Sequence, residues 1–196
     1  MKKLSLFFAL LVLITIPSLA QLEKGSWIGG VNGNLSFMSN LHENRIILLN
    51  FNPYTMYLVR NNFALGLNLE NELGFGKSQY STGNTNSKQT MYNVKLAPTL
   101  RKYFYSSKLR PYIGLSTGMA LYYKKDYYSS DTYNNNTKTT KLAFILTPDA
   151  GVSYWLNEKV FFDLNVSYDL YNSYKDSNYG YKTLDLKLGI GIKIGK

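Results

Sequence analysis

The sequence predicts an all-β fold, an eight-stranded antiparallel up-and-down transmembrane β-barrel. Three observations predict it. The first is alternation: near the C-terminus Leu184, Leu186, Leu188, Ile190, Ile192 and Ile194 are separated by Asp185, Lys187, Gly189, Gly191 and Lys193, a period-two pattern about twice as long as an ordinary strand. The second is that short turns and long polar connections take turns along the chain. The third is volume, since eight strands enclose a lumen too narrow for the bulky face.

The first twenty residues stand apart. Lys2 and Lys3 precede an apolar run from Leu4 to Ile16, and Ser18-Leu19-Ala20 supplies small cleavage positions. This is the pattern of a secretory signal peptide, too short to span a bilayer as a helix. Cleavage is expected between Ala20 and Gln21, leaving a barrel domain over 21–196. The formal charge of +10 then falls to +8, from 20 basic against 12 acidic side chains. The chain has no cysteine, so an exported product must hold its fold without disulfides.

The first strand is expected from Ser26 to Phe37, with Trp27, Val31, Leu35 and Phe37 on one face and Gly30, Asn32 and Asn34 on the other. The second, Arg45 to Val59, sets Leu49, Phe51, Tyr57 and Val59 against Asn50 and Asn52. In the third, Phe63, Leu65, Leu67, Leu69 and Leu73 oppose Gly66, Asn68, Glu70 and Glu72. The fourth places Tyr92, Val94, Leu96 and Leu100 opposite Asn93, Lys95, Ala97 and Arg101. The fifth alternates Ile113, Leu115, Met119 and Leu121 with Gly114, Ser116, Gly118 and Ala120. The sixth alternates Leu142, Phe144, Leu146, Val152 and Tyr154 with Ala143, Thr147, Asp149, Gly151 and Ser153. The seventh alternates Phe162, Leu164, Val166 and Tyr168 with Asp163, Asn165, Ser167 and Asp169, and the terminal stretch is the eighth.

"RNN", "NEK" and the turn at Ser106-Ser107 are short; "GKSQYSTGNTNSKQ", "KKDYYSSDTYNNNTKTTK" and "NSYKDSNYG" read as long loops. Pro53, Pro98 and Pro148 fall inside even-numbered strands, followed by Tyr57, Tyr103 and Tyr154. A proline donates nothing to a sheet ladder, so each is expected at a bulge, as part of a hairpin-scale repeat.

Roughly five bulky residues from each of eight strands would overfill so small a lumen. The polar face carries Gly30, Gly66, Gly114, Gly118, Gly151, Gly189 and Gly191, which leave room for charges beside them. The aliphatic face therefore points outward, into lipid, and closure of the ring satisfies every backbone hydrogen bond there.

On these features the chain from Gln21 to Lys196 resembles the small outer-membrane β-barrel domain family, the OmpX-like and OmpA transmembrane-domain-like proteins. The resemblance also rests on the run from Lys187 to Ile194, similar to a barrel-assembly signal through Gly189, Ile192 and Ile194; it departs from the pattern in ending Ile194-Gly195-Lys196 rather than on an aromatic. It implies short periplasmic turns, long extracellular loops, the outer membrane of a Gram-negative bacterium, recognition by the barrel-assembly machinery and contact with outer-membrane lipid and lipopolysaccharide. A monomer with a structural or surface-interaction role is expected, its cell-surface ligand unspecified. A narrow channel for small solutes or ions is the alternative, and a lipid A-modifying enzyme a third.

Glu70, Glu72, Lys95, Arg101, Asp163 and Lys187 are expected to form an interior ion-pair network, since unpaired charges there would be costly. Symmetric hairpins would pair Glu70 or Glu72 with Lys95, and Asp163 with Lys187. Elsewhere the chemistry is sparse. The single histidine, His42, has Glu43 and Ser39 nearby but no nucleophile signature. One histidine and no cysteine give no ligand cluster, and the scattered loop aspartates Asp126 and Asp131 are at most calcium candidates, so no metal or cofactor is expected. Lysines and tyrosines crowd the long loops, among them Lys77, Lys88, Lys124, Lys125, Lys138 and Lys141 with Tyr127 and Tyr128. The lack of a nucleic-acid-binding fold and the export of the chain argue against nucleic acid, and lipopolysaccharide phosphates at the outer leaflet are the nearer anionic partner expected. Tyr122, Tyr123, Tyr168 and Tyr171 are expected in an interfacial girdle.

Overall fold

The computed structural model describes residues 22–39, 45–80, 85–104, 108–129, 134–173 and 184–195. Among the described residues nine strands form: β1 (Trp27–Ser39), β2 (Arg45–Arg60), β3 (Phe63–Tyr80), β4 (Thr85–Tyr103), β5 (Leu109–Ser129), β6 (Asn134–Trp155), β7 (Val160–Tyr168), β8 (Tyr171–Asn172) and β9 (Leu184–Ile194). All pairings are antiparallel, and β5–β6 and β1–β9 contacts close the ring. The two-residue β8 prolongs β7 along β6, so the ring has eight members. A row perpendicular to the strands runs from Val152 through Leu164, Leu188, Gly33, Phe51, Asn71, Val94 and Leu121 back to Leu142, ten residues from its start on β6. That stagger is what tilts the strands by about 40°.

The faces divide as lipid requires. Leu184, Leu188 and Leu142 are 72, 68 and 65 % exposed, whereas Ile28, Leu58 and Ala120 have no exposure at all. So large an apolar surface is stable only against acyl chains. Trp27 leans on Tyr57 at 5.1 Å and, with Tyr154, marks the short-turn edge of the belt. Tyr92, Tyr123 and Tyr171 lie towards the other edge. Tyr122 departs from the expected girdle: it sits on the inward face of β5, against Ala97, Ala120 and Ile145.

Two expected loops are largely strand. "GKSQYSTGNTNSKQ" is mostly the end of β3 and the start of β4, and "KKDYYSSDTYNNNTKTTK" extends β5 and β6. Beyond the bilayer both faces are wet, so alternation disappears while the backbone ladder continues. The "NSYKDSNYG" segment is largely outside the described residues. So are Ala20, Gln21, His42, Glu43, Asp131 and Ser106-Ser107.

The prolines act unequally. Each keeps its register with the preceding strand: Pro53 with Val31, Pro98 with Leu67, Pro148 with Leu115. Towards the following strand pairing lapses at each. Only at Pro148 does it resume out of step: Asp149 faces Ser167 but Leu146 faces Tyr171, one extra residue on the β7–β8 side. The bulge expectation is thus corrected for Pro53 and Pro98. The proline–tyrosine repeat is corrected too, because Tyr57 and Tyr154 face outward while Tyr103 is buried.

Turn chemistry is local. Asn62 adopts φ 61° between β2 and β3, a left-handed conformation that asparagine tolerates. The chain before β1 docks on this turn: Leu22 N–H donates to Asn62 Oδ1 (3.3 Å), Lys24 N–H to Asn61 Oδ1 (3.0 Å) and Asn62 N–H to the Leu22 carbonyl (2.9 Å). At the other described turn, Asn157 Oδ1 accepts from Lys159 and Val160 N–H, both at 2.8 Å, an Asx turn.

Candidate functional site

The lumen is filled at three levels. Nearest the short turns lies an apolar and aromatic plug of Leu22, Ile28, Met56, Leu58, Tyr103, Tyr112, Trp155 and Phe161. Trp155 stacks on Phe161 at 4.6 Å, and the Arg110 guanidinium lies 4.4 Å from the Trp155 ring. The sequence reading of a plugged interior lined by the polar face is corrected here: this level of the plug is apolar. The signal was present in "MYLV" (56–59) and "VFF" (160–162), where neighbouring residues are apolar and therefore both faces are dry.

Above the plug sits Arg101, 4 % exposed. Its Nη2 lies 3.3 Å from Asp149 Oδ2 on β6, and its Nη1 3.7 Å from Asp163 Oδ2 on β7, an ion pair longer than a hydrogen bond. The guanidinium also covers the Tyr112 ring at 3.9 Å, a cation–π contact. Both aspartates are held from other sides. Tyr112 donates its hydroxyl to Asp163 Oδ2 and Ser153 to Asp163 Oδ1, each at 2.8 Å. Asn165 Nδ2 donates to Asp149 Oδ2 (2.9 Å) and Tyr112 Oη (3.0 Å). Gly114 faces Asp149 in the ladder, and a Cβ there would overlap the carboxylate. A side chain at that point would push the carboxylate away from Arg101.

The third level gathers around Glu70. Lys95, its partner in the β3–β4 ladder, approaches Oε2 at 3.4 Å, and Lys187 approaches Oε1 at 3.1 Å. Lys95 also meets Asp169 Oδ2 at 3.1 Å, and Thr147 donates to Asp169 Oδ1 at 2.8 Å. Glu72 accepts from Asn93. Asn50, Glu70, Glu72, Asn93, Lys95, Asp185 and Lys187 line a cavity with room for about one water molecule.

Asp163 and Lys187 do not pair, contrary to expectation. In the β7–β9 ladder Asp163 faces Gly189 and Lys187 faces Asn165. Their charges instead cross the lumen, to Arg101 and to Glu70. Lumenal side chains point at the barrel axis, so the opposite wall is within reach and hairpin symmetry does not select the partner. Asp149, Asp169 and Tyr112 join the network for the same reason.

Of the residues resembling an assembly signal, Ile192 and Ile194 face outward on β9, opposite Gly29 and Trp27. Gly189 packs against Asn32, where a Cβ would strike the β1 backbone. Asp126, weighed for a cation, forms an ion pair with Lys124 at 3.0 Å.

The lysine at the centre of the third level gives a direct test of the pairing. In urea titrations in lipid vesicles, the Lys95→Met and Glu70→Gln changes should be non-additive by about 0.5–3 kcal/mol, and more strongly so than Lys95→Met with Glu72→Gln, which shares the cavity but not the ion pair. The reverse ranking would move the partner of Lys95 to Glu72.

A closed ring with an apolar outer belt and a packed, charge-paired lumen defines a small membrane-spanning β-barrel. The chain belongs to the outer membrane protein beta-barrel domain family, whose model matches residues 6–193. No curated protein matches the sequence. Among solved structures it is similar to the outer membrane protein OprG of Pseudomonas aeruginosa, at 13 % identity over 89 % of this chain and 98 % of that one, TM-score 0.50. It is also similar to Ail, the attachment invasion locus protein of Yersinia pestis (16 % identity, 88 % and 100 % coverage, TM-score 0.46). The N-terminal barrel domain of Pseudomonas aeruginosa OprF is a third (16 %, 87 % and 98 %, TM-score 0.44). At these identities the likeness concerns the fold.

Proposed function

We propose that the protein is a plugged barrel of a Gram-negative outer membrane, with a structural or surface-interaction role expressed through the long hairpins β3–β4 and β5–β6. The observation that supports this reading is the filled lumen: an aromatic plug, an arginine layer and a lysine–glutamate layer succeed one another, and the cavity beside Glu70 and Lys95 has room for about one water molecule. A continuous aqueous path needs wider spacing than an eight-stranded ring with such side chains provides. The test is reconstitution of the wild type in a planar bilayer. Occasional leak without unitary steps is expected; steady, porin-like conductance would overturn the plugged reading in favour of a narrow channel. Mass spectrometry of lipid A from cells expressing the protein should show an unaltered acylation pattern, and a changed one would make the protein an enzyme.

A further inference from the structure

The seam between the first and last strands is joined over only its lower half. β1 and β9 pair from Trp27–Ile194 up to Gly33–Leu188, and there the ladder stops. Continuing the register would set Asn34 against Lys187, Leu35 against Leu186 and Ser36 against Asp185, but none of these pairs forms. Both strands go on beyond that point. β1 stays on β2 up to Ser39–Arg45, and β9 from Leu184 to Lys187 stays on β7. Two leaves therefore part above Gly33, and about every second residue of each turns an N–H and a C=O into the seam with no ladder partner. Side chains do not bridge it either. Asn34 turns to Asn50 on β2 and Lys187 crosses the lumen to Glu70, while no hydrogen bond or ion pair holds Asp185 among the described residues.

Depth and surroundings say what the seam opens onto. Leu188 lies about midway up the belt, so Leu35 and Leu186, two residues higher, lie about 5 Å above the bilayer centre. Leu35, Leu184 and Leu186 are 54, 72 and 58 % exposed on the lipid face. On the inner side Asp185 and Lys187, with Asn50, belong to the lining of the cavity beside Glu70. A lipid-facing surface does not tolerate open strand edges unless something polar meets them. We propose that the upper β1–β9 seam is a lateral port, which admits the amide head of a single-chain amphiphile from the surrounding leaflet while its tail stays against Leu35, Leu184 and Leu186. An amide fits because the two edges offer N–H donors and C=O acceptors together, the pattern that one strand presents to the next. The port leads to the cavity and no further, since the Arg101 layer and the aromatic plug lie below it. It is a binding site, and the plugged reading stands without it.

The chain has no cysteine, so paired cysteines report on the seam in the folded protein in lipid vesicles. Val31→Cys/Ile190→Cys is the control, a ladder pair four residues lower on each strand and on the same face. Under mild oxidation the control should cross-link at least about tenfold faster than Leu35→Cys/Leu186→Cys, because a disulfide needs Cα atoms within about 7 Å. N-dodecanoylglycinamide should slow the upper cross-link several-fold further and leave the control unchanged. Dodecane, a tail without a head, should change neither. Native-state hydrogen exchange reads the unmodified chain: the seam-facing amides of 34–36 and 184–187 should exchange at least about a hundredfold faster than those of 28–33. Equal cross-linking rates, or equal protection along the seam, would show it zipped and overturn the port. An effect of dodecane equal to that of the amide, or no effect of either, would overturn the amide head as its occupant.

Discussion

Arg101→Met should destabilise the barrel by about 3–5 kcal/mol, the cost of breaking a buried charge cluster by removing one partner. The guanidinium is the one cation that the described contacts place between Asp149 and Asp163, and methionine of similar length would leave two carboxylates facing each other in a dry layer. Their fates should differ. Asp163 keeps donors from Tyr112 and Ser153, whereas Asp149 keeps only the Asn165 amide among the described side-chain donors. In the Arg101→Met background, Asp149→Asn should therefore recover more of the loss than Asp163→Asn. Urea titration of wild type and the three variants in lipid vesicles measures both statements. An Arg101→Met barrel within about 0.5 kcal/mol of wild type would show that this layer contributes little net stability.

The outer surface was readable in the sequence because lipid acts on every second residue without regard to neighbours. Leu188, Phe51 and Met119 needed no knowledge of their strand partners to be placed outside, and all three are exposed. The lumen obeys a different rule. Which carboxylate reaches which cation depends on the ten-residue stagger and on reach across the axis, and both are properties of the closed ring. Glu70 and Lys95 were legible because they face each other within one hairpin; Lys187 and Glu70, 117 positions apart, were not. The plug escaped notice for a third reason. Ile28, Met56 and Phe161 lie on the inward parity, which higher in the barrel is mostly polar or small, and the docked Leu22 that helps to seal them lies before the first strand.

The outward face gives the second large effect, in Leu188→Arg. Leu188 is 68 % exposed and lies opposite Gly33 and Leu164, about midway between the Trp27–Tyr57 edge and the Tyr92–Tyr123 edge of the belt. Arginine there must thin the bilayer or stretch towards water, at a cost of about 2–4 kcal/mol. Leu142 supplies the matched comparison, because it is 65 % exposed on the same lipid face. It lies two residues below Thr140, the ladder partner of Tyr123, and so near the wet edge. Leu142→Arg should cost about 0–1 kcal/mol, since its guanidinium snorkels to the headgroups within one side-chain length. Folding titrations in vesicles of fixed chain length decide the matter, and thinner bilayers should shrink the Leu188→Arg penalty first. Equal penalties at the two sites would mean that the belt is centred elsewhere on β9, or that these faces do not meet a bilayer at the depths the register assigns.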